Sequence, residues 1–182
     1  MMKKLILFLL GLSLFAACMK QQEKNEKASP AYFDLKKYFE AEAVRLNKVG
    51  LKINKSVAIN DDKTQKMVSI EDFNKEFESF ISADINKASW RGSFVVKTTP
   101  ELISYESNSD KIPVKKLELS RKNGKINAIH IFVANQNILY TSQDTLNYFP
   151  DSLYQIKKNQ KIKLLEMKEY EVIGRFIKPT SN

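Results

Sequence analysis

Cys18 is the one cysteine of this 182-residue chain, and the residues before it follow an unusual order. Lys3-Lys4 opens the chain, an apolar run covers residues 5–15, and Ala16-Ala17 leads directly into the thiol. Such a run suits the core of a secretory signal but is too short to span a bilayer, which needs about 20 residues. Because there is no second thiol, an intramolecular disulfide is excluded, and Cys18 is available for another modification.

This order of charge, apolar run, small residues and cysteine resembles the signal of bacterial lipoproteins. Phe15-Ala16-Ala17-Cys18 is similar to the lipobox pattern Leu-x-small-Cys, with phenylalanine where leucine is commonest. The resemblance implies that residues 1–17 are a signal peptide that is removed. It also implies that Cys18 receives a diacylglycerol and that acyl chains such as palmitate anchor the protein in a membrane. The alternative is an ordinary cleaved secretory signal followed by a chance cysteine.

Residues 18–29 are predicted to form the lipidated end and a flexible tether, because they are rich in charge and have no apolar period. Met19 follows the cysteine where an aspartate would favour retention in the inner membrane. The resemblance therefore implies a lipid anchor in the outer membrane, with the periplasmic and the cell-surface side both open.

Residues 30–182 are predicted to form a single domain. Loss of the two leader lysines lowers the formal charge from +9 to +7. This balance suits contact with anionic lipid or polysaccharide, although lysines spread along the chain are more typical of solvated charges. Nucleic acid does not fit an exported protein, so the expected partners are the membrane, through Cys18, and an envelope component or partner protein.

Few residues of the domain favour catalysis. His130 is the sole histidine, and a structural role is favoured over a catalytic one because it lies within a predicted strand. A Ser-His-Asp triad would have to use this histidine, and no serine stands in a Gly-x-Ser-x-Gly elbow. This holds for the candidate nucleophiles Ser104, Ser107, Ser120 and Ser142. One histidine and no free thiol leave too few ligands for zinc, and no Gly-rich phosphate loop occurs. No metal or cofactor and no enzymatic activity are therefore expected.

Paired carboxylates are the alternative that the sequence leaves open. Glycosidases use two acids whose separation in space cannot be read from sequence spacing. Four acids lie at predicted strand ends or loops: Glu101, Glu106, Asp144 and Asp151. An envelope hydrolase that acts through two of them is the second functional hypothesis.

Aromatic residues supply the candidate binding surface. Tyrosines on one sheet face could hold an apolar or glycan ligand, with their hydroxyls fixing its orientation. The candidates for this role are Tyr105, Tyr140, Tyr148 and Tyr154. The alternative is that these rings pack across strands beneath helices. The favoured function is a membrane-anchored envelope lipoprotein whose domain is a non-catalytic binding or accessory module.

Two helices are predicted in the first half of the domain. The first covers residues 30–48, with Ser29 as N-cap, Pro30 in the first turn and Gly50 as C-cap. The second covers residues 70–86, where aromatic residues recur at helical spacing after a capping box formed by Ser69 and Asp72.

The rest of the domain is predicted to be strands. Hairpin turns are expected at Asn60-Asp61-Asp62-Lys63 and at Asn123-Gly124. Strands are also expected from Trp90 to Thr98 and from Lys161 to Glu166. Most connections are short, which makes neighbouring strands antiparallel. The predicted fold is α+β: two helices packed on a curved, mainly antiparallel meander of about seven to nine strands.

Overall fold

The structure, a computed structural model, describes residues 30–177. The predicted signal peptide, Cys18 and tether lie outside the described residues, as do residues 178–182. In chain order, the elements are α1 (Leu35–Val49), β1 (Lys52–Ile59), β2 (Asp62–Ser69), α2 (Phe73–Glu76), α3 (Glu78–Ser82), a 3-10 turn (Ala88–Trp90), β3 (Val95–Thr98), β4 (Leu102–Glu106), β5 (Val114–Lys122), β6 (Lys125–Gln136), β7 (Tyr140–Phe149), β8 (Leu153–Ile162) and β9 (Met167–Phe176).

The strands form one nine-stranded sheet in the order β2-β1-β9-β8-β7-β6-β5-β4-β3, and every pairing is antiparallel. The predicted mainly antiparallel sheet is therefore confirmed. Strands β3 to β9 are a meander, because each connection is too short for a crossover. The β1–β2 hairpin joins beyond the last strand, with Ile53 opposite Phe176.

Helix α1 places one apolar stripe on the sheet: Leu35, Phe39, Ala43 and Leu46 are buried. Gly50 ends the helix as predicted, with φ 62°. The predicted start at residue 30 is wrong, because Asp34 is the N-cap and accepts a 2.9 Å bond from the Lys37 N–H. Residues just before Asp34 are held elsewhere, since the Phe33 N–H donates to the Tyr105 hydroxyl at 3.2 Å.

The second predicted helix is only partly confirmed, because the chain forms two short segments, α2 and α3, instead of one helix over residues 70–86. Asp72 caps the first segment through a 2.9 Å bond from the Asn74 N–H. Phe77 lies between the segments with φ −94° and ψ 9°, outside the helical range. The break still leaves Phe73, Phe77 and Phe80 buried.

Two predicted strands also differ. Trp90 belongs to the 3-10 turn, and the strand starts only at Val95, because Gly92 turns the chain with φ 76°. Residues 161–166 are mostly a turn rather than a strand, since β8 ends at Ile162 and β9 starts at Met167.

The helices pack on one face of the sheet, where the hydrophobic core forms. Phe39 stacks on Phe80 with centroids 4.7 Å apart, and it meets Tyr148 edge-on at 5.1 Å. Phe77 meets both Tyr148 and Tyr154 edge-on, at 5.5 and 5.7 Å. The opposite face, called the open face below, carries mostly polar side chains in the alternate strand positions.

Candidate functional site

A cleft of about 390 Å³ opens between the helical segments and the sheet. Helix α3 and the 3-10 turn contribute residues to it from one side, and strands β6 to β8 contribute from the other. We call it the Trp90 cleft, and its main residues are Trp90, Val133, Asp144, Leu146 and Lys158. It lies where the helix-covered face of the sheet continues beyond the core.

Strand register explains the character of this cleft. Tyr148 is buried under the helices, Leu146 two residues earlier is 2% exposed, and Asp144 two residues earlier again reaches the cleft. Asp144 and Lys158 are register partners on β7 and β8, and their side chains form a 3.3 Å ion pair. The buried Ser142 hydroxyl donates to the other oxygen of Asp144. The carboxylate is therefore held in one orientation, in the same cleft as the apolar side chain of Leu146.

Trp90 adds an aromatic wall to the cleft. The side chain is half-buried, and the Lys87 ammonium lies 4.2 Å from the ring centroid in a cation–π contact. An apolar surface, one aromatic ring and a few oriented polar groups are the usual ingredients of a ligand site. The cleft is not evident from the sequence, which predicts Trp90 in a strand. The adjacent Arg91-Gly92 turn was the signal that could have corrected it.

A second cleft, of about 540 Å³, surrounds the start of α1. Its polar groups already hold the chain in place. The Asn86 side chain accepts from the Tyr32 N–H at 3.0 Å and donates to the Phe33 carbonyl at 2.9 Å. Its remaining surface is exposed charge, such as Lys36 and Lys37. Although this cleft is larger, its central polar side chain, Asn86, is used to hold the backbone before α1, whereas the partners of Asp144 are side chains, so the Trp90 cleft is the better candidate.

Three of the four predicted ligand-facing tyrosines belong to the buried core and not to an exposed ligand surface. Tyr148 and Tyr154 are register partners that are fully buried, and Tyr105 is 7% exposed. Tyr140 is half-buried at the opposite end of β7 from Tyr148. The structure thus brings Tyr148 and Tyr154 together, and Phe77 covers both rings.

Each of these two buried tyrosines is bonded to a helix carboxylate. The Tyr148 hydroxyl donates to Glu42 at 3.0 Å, and the Tyr154 hydroxyl donates to Glu76. Lys55 in turn donates to both oxygens of Glu76, at 2.6 and 2.8 Å. Burial, followed by interactions with these carboxylates, raises the pKa of both hydroxyls well above the usual range. The two pairs bind the helices to the sheet.

The four predicted acids occupy separate places. Asp144 lines the Trp90 cleft, whereas Asp151 accepts a 2.7 Å bond from Arg45 at the β7–β8 turn. Glu106 lies at the end of β4, where a hydrogen bond from Lys97 lowers the pKa of its carboxyl. Glu101 lies between β3 and β4. The acid that lines the Trp90 cleft together with Asp144 is Glu78, which is not among the four predicted acids.

His130 belongs to a hydrogen-bonded chain across the open face. Its Nδ1 lies 2.8 Å from the Asn147 amide oxygen, Asn147 donates to Gln155 at 2.9 Å, and Gln155 donates to Glu171 at 2.8 Å. Burial alone would raise the pKa of Glu171, but bonds from Lys157 and Gln155 outweigh it and lower the pKa. This series of hydrogen bonds links β6, β7, β8 and β9, which favours the structural role expected for His130.

No protein-family model matches this chain, and searches of curated proteins and of solved structures find no similar protein. Among residues 30–177, no helix has the length and apolar character needed to cross a membrane. Within the same range, no cluster of three or more histidine or acidic side chains could hold a metal ion.

Proposed function

We propose that this protein is a lipid-anchored lipoprotein of the outer membrane, and that its domain is a non-catalytic binding module. The anchor is supported by residues 1–18, which resemble a lipoprotein signal with its modified cysteine. The binding role is supported by the Trp90 cleft. The single observation that carries it is an oriented carboxylate, Asp144, in a cleft of mixed polar and apolar lining that contains the sole tryptophan.

The composition of the cleft favours a ligand with an apolar ring face and hydrogen-bond donors. Trp90 can stack on such a face, and Asp144 can accept bonds from hydroxyl, amide or ammonium groups. Glycans of the cell envelope combine these features. The proposed ligand class is therefore an envelope glycan, bound without turnover.

The Cys18→Ala substitution tests the anchor. Each buried methylene of an acyl chain contributes about 0.8 kcal/mol, and two chains already hold a protein stably on a bilayer. We expect the substituted protein to move from the membrane fraction to the soluble fraction, measured by centrifugation and immunoblotting of fractionated cells. Ser13→Ala, within the same leader, is the matched control and should stay membrane-bound. Membrane retention of the Cys18→Ala protein would refute the lipid anchor.

Trp90 also makes the cleft measurable, because its fluorescence reports on this site alone. Titration of the protein with soluble peptidoglycan fragments should change the emission in a saturable way. Asp144→Asn should weaken the affinity by about tenfold, since a hydrogen bond to a charged group contributes about 1.5–3 kcal/mol. Asp151→Asn, an exposed acid outside the cleft, should leave the affinity unchanged. A thermal melt of each variant checks the fold.

An unchanged emission, or equal affinity of the two variants, would contradict a glycan site in the Trp90 cleft. The alternative, an envelope hydrolase, requires two carboxylates in one cleft, and Glu78 and Asp144 meet that condition. Release of smaller fragments by the wild-type protein, lost in both Glu78→Gln and Asp144→Asn, would favour the hydrolase over the binding module.

A further inference from the structure

Two neighbouring turns at one end of the sheet carry exposed apolar side chains. Tyr140 pairs with Ile162 and Lys161 pairs with Met167, so the β6–β7 and β8–β9 turns lie side by side. The Lys163 N–H donates to the Leu139 carbonyl at 2.8 Å and joins them. We call this surface the apolar tips, formed by Ile138, Leu139, Ile162, Leu164, Leu165 and Met167, which are 40–96% exposed.

Leu164 is the most unusual residue of the apolar tips. It has a φ of 70° and is 96% exposed, so neither backbone conformation nor hydration favours a leucine there. Within residues 30–177, three other non-glycine residues have positive φ, and all are the asparagine or aspartate types that tolerate it: Asn60, Asn123 and Asp151. A backbone conformation or an exposure that is unfavourable for the residue type occurs mainly at positions that serve a function.

The tips are held in place before any partner binds. The Asn137 side chain accepts bonds from the N–H groups of Leu139 and Tyr140, at 2.8 and 2.9 Å, and fixes the first turn. The Leu165 N–H donates to the Ile162 carbonyl at 3.0 Å and closes the second turn. A partner therefore meets a preformed apolar surface, with little ordering of the backbone.

The residues around the tips favour a lipid surface as the partner. The flanking lysines, Lys161, Lys163 and Lys168, outnumber the nearby acids Glu166 and Glu169 and suit anionic headgroups. The third turn at this end is polar, because it consists of Asn60 and Asp61. Apolar side chains on neighbouring turns, with lysines beside them, suit the boundary between headgroups and acyl chains.

We propose that the apolar tips insert into the interface of the bilayer that holds the lipid anchor, so that the domain lies on the membrane in one orientation. This inference rests on the proposed lipid anchor. The tether formed by residues 18–29 would reach about 40 Å when extended, which keeps the tips near the bilayer. Such proximity raises the effective concentration, so weak insertion is sufficient.

A fluorescent label at the tips tests the inference on the full chain. Because mature Cys18 carries lipid, Leu164→Cys supplies the one free thiol, and Asn123→Cys at the opposite end of the sheet is the matched control. Each labelled protein is reconstituted through its own anchor into phosphatidylethanolamine–phosphatidylglycerol vesicles that contain a nitroxide-bearing lipid. We expect several-fold stronger quenching and a blue shift for the label at position 164. Equal quenching at the two positions would overturn the inference while leaving the anchor intact.

A second measurement separates the tips from the anchor. The Cys18→Ala protein is mixed with the same vesicles and sedimented, alone and with the Leu164→Ser and Leu165→Ser substitutions. The pair should lower the bound fraction about tenfold. Val44→Ser with Val49→Ser is the control, since both valines are 51% exposed on α1, and it should bind normally. If mass spectrometry finds Cys18 without lipid, the proposed lipid anchor is refuted. Insertion of the apolar tips can then still be tested by sedimentation, with the wild-type chain in place of the Cys18→Ala protein.

Equal binding of the tip variant and the valine variant in this second measurement would overturn insertion. In the label experiment, a blue shift at position 164 that occurs without vesicles and grows with protein concentration would also overturn it, because a second copy of the chain would then cover the tips.

Discussion

The Gly174→Ala variant is expected to lose about 3 kcal/mol of unfolding free energy, because the Tyr154 ring lies directly over Gly174. A Cβ atom at this position would lie 2.1 Å from two ring carbons and 2.3 Å from the hydroxyl oxygen of Tyr154. The ring cannot yield easily, since it is fully buried and its hydroxyl is bonded to Glu76. Moving it would break that bond and the contacts with Phe77 and Phe176.

The sign of this effect distinguishes side-chain packing from strand propensity. Alanine in a strand interior is normally more stable than glycine by about 0.5–1 kcal/mol. A strand-propensity argument therefore predicts stabilisation, whereas the contact with Tyr154 predicts a large loss. Urea denaturation of the Gly174→Ala variant measures the difference, and unchanged or increased stability would contradict the packing of Tyr154 on Gly174.

A double-mutant cycle assigns the loss to the ring. Tyr154→Leu removes the atoms nearest to position 174 and leaves an apolar side chain in the core. On its own it should be destabilising, but Gly174→Ala should then cost much less in the Tyr154→Leu protein than in the wild type. A coupling energy of more than about 1.5 kcal/mol is expected. Additive effects would show that the methyl group disturbs something other than Tyr154.

Local chemistry was sufficient to predict much of the sheet. Asn123 and Gly124 have φ values of 53° and 74°, the left-handed conformations that a tight hairpin requires. Gly50 similarly ends α1 where the sequence predicts. Short connections then make neighbouring strands antiparallel, which accounts for the meander from β3 to β9.

Features that depend on distant contacts were not predictable in this way. The pairing of β1 with β9 joins the two ends of the domain, and nothing near Ile53 indicates Phe176 as its partner. Leu164 and Leu165 fall within the strand that the sequence predicts from Lys161 to Glu166. Only the backbone shows that they occupy a turn.

The carboxylates below the helices had a signal in the sequence. Glu42 is seven residues after Leu35 and three after Phe39, so it lies on the apolar stripe of α1 rather than on its solvent face. Glu76 similarly lies three residues after Phe73 and four before Phe80. An acid within an apolar stripe indicates a polar partner in the core. Periodicity alone could not identify those partners as tyrosines.

The buried Tyr148–Glu42 and Tyr154–Glu76 pairs are expected to cause a steep loss of stability above pH 10. An unfolded tyrosine ionises with a pKa of about 10, whereas Tyr148 and Tyr154 have raised pKa values because burial and the carboxylates of Glu42 and Glu76 oppose a second negative charge. Above pH 10 the unfolded state therefore binds fewer protons than the native state. Stability is fully present below the unfolded pKa and is lost as pH rises towards the folded values.

The change of unfolding free energy with pH is set by the difference in the number of bound protons between the native and the unfolded state. Each tyrosine that stays protonated in the native state lowers the unfolding free energy by about 1.4 kcal/mol per pH unit once its unfolded form is ionised. Tyr148 and Tyr154 together give about 2.7 kcal/mol per pH unit. Urea denaturation at a series of pH values measures this slope. The ultraviolet absorbance of tyrosinate measures when the two hydroxyls ionise, which should coincide with unfolding.

Tyr148→Phe and Tyr154→Phe separate the two contributions. Each variant keeps the ring in the core and removes one ionisable hydroxyl, so the slope above pH 10 should fall by about 1.4 kcal/mol per pH unit. Tyr38, whose pKa is also raised by burial and by the charge of Glu42, keeps its own contribution in both variants. Lysines that ionise in the same range contribute equally to both variants and to the wild type, so they cancel. Near neutral pH each variant should lose about 1 kcal/mol, from the missing hydrogen bond. If both variants keep the wild-type slope, Tyr148 and Tyr154 ionise within the native fold. The burial of their hydroxyls against Glu42 and Glu76 would then be wrong.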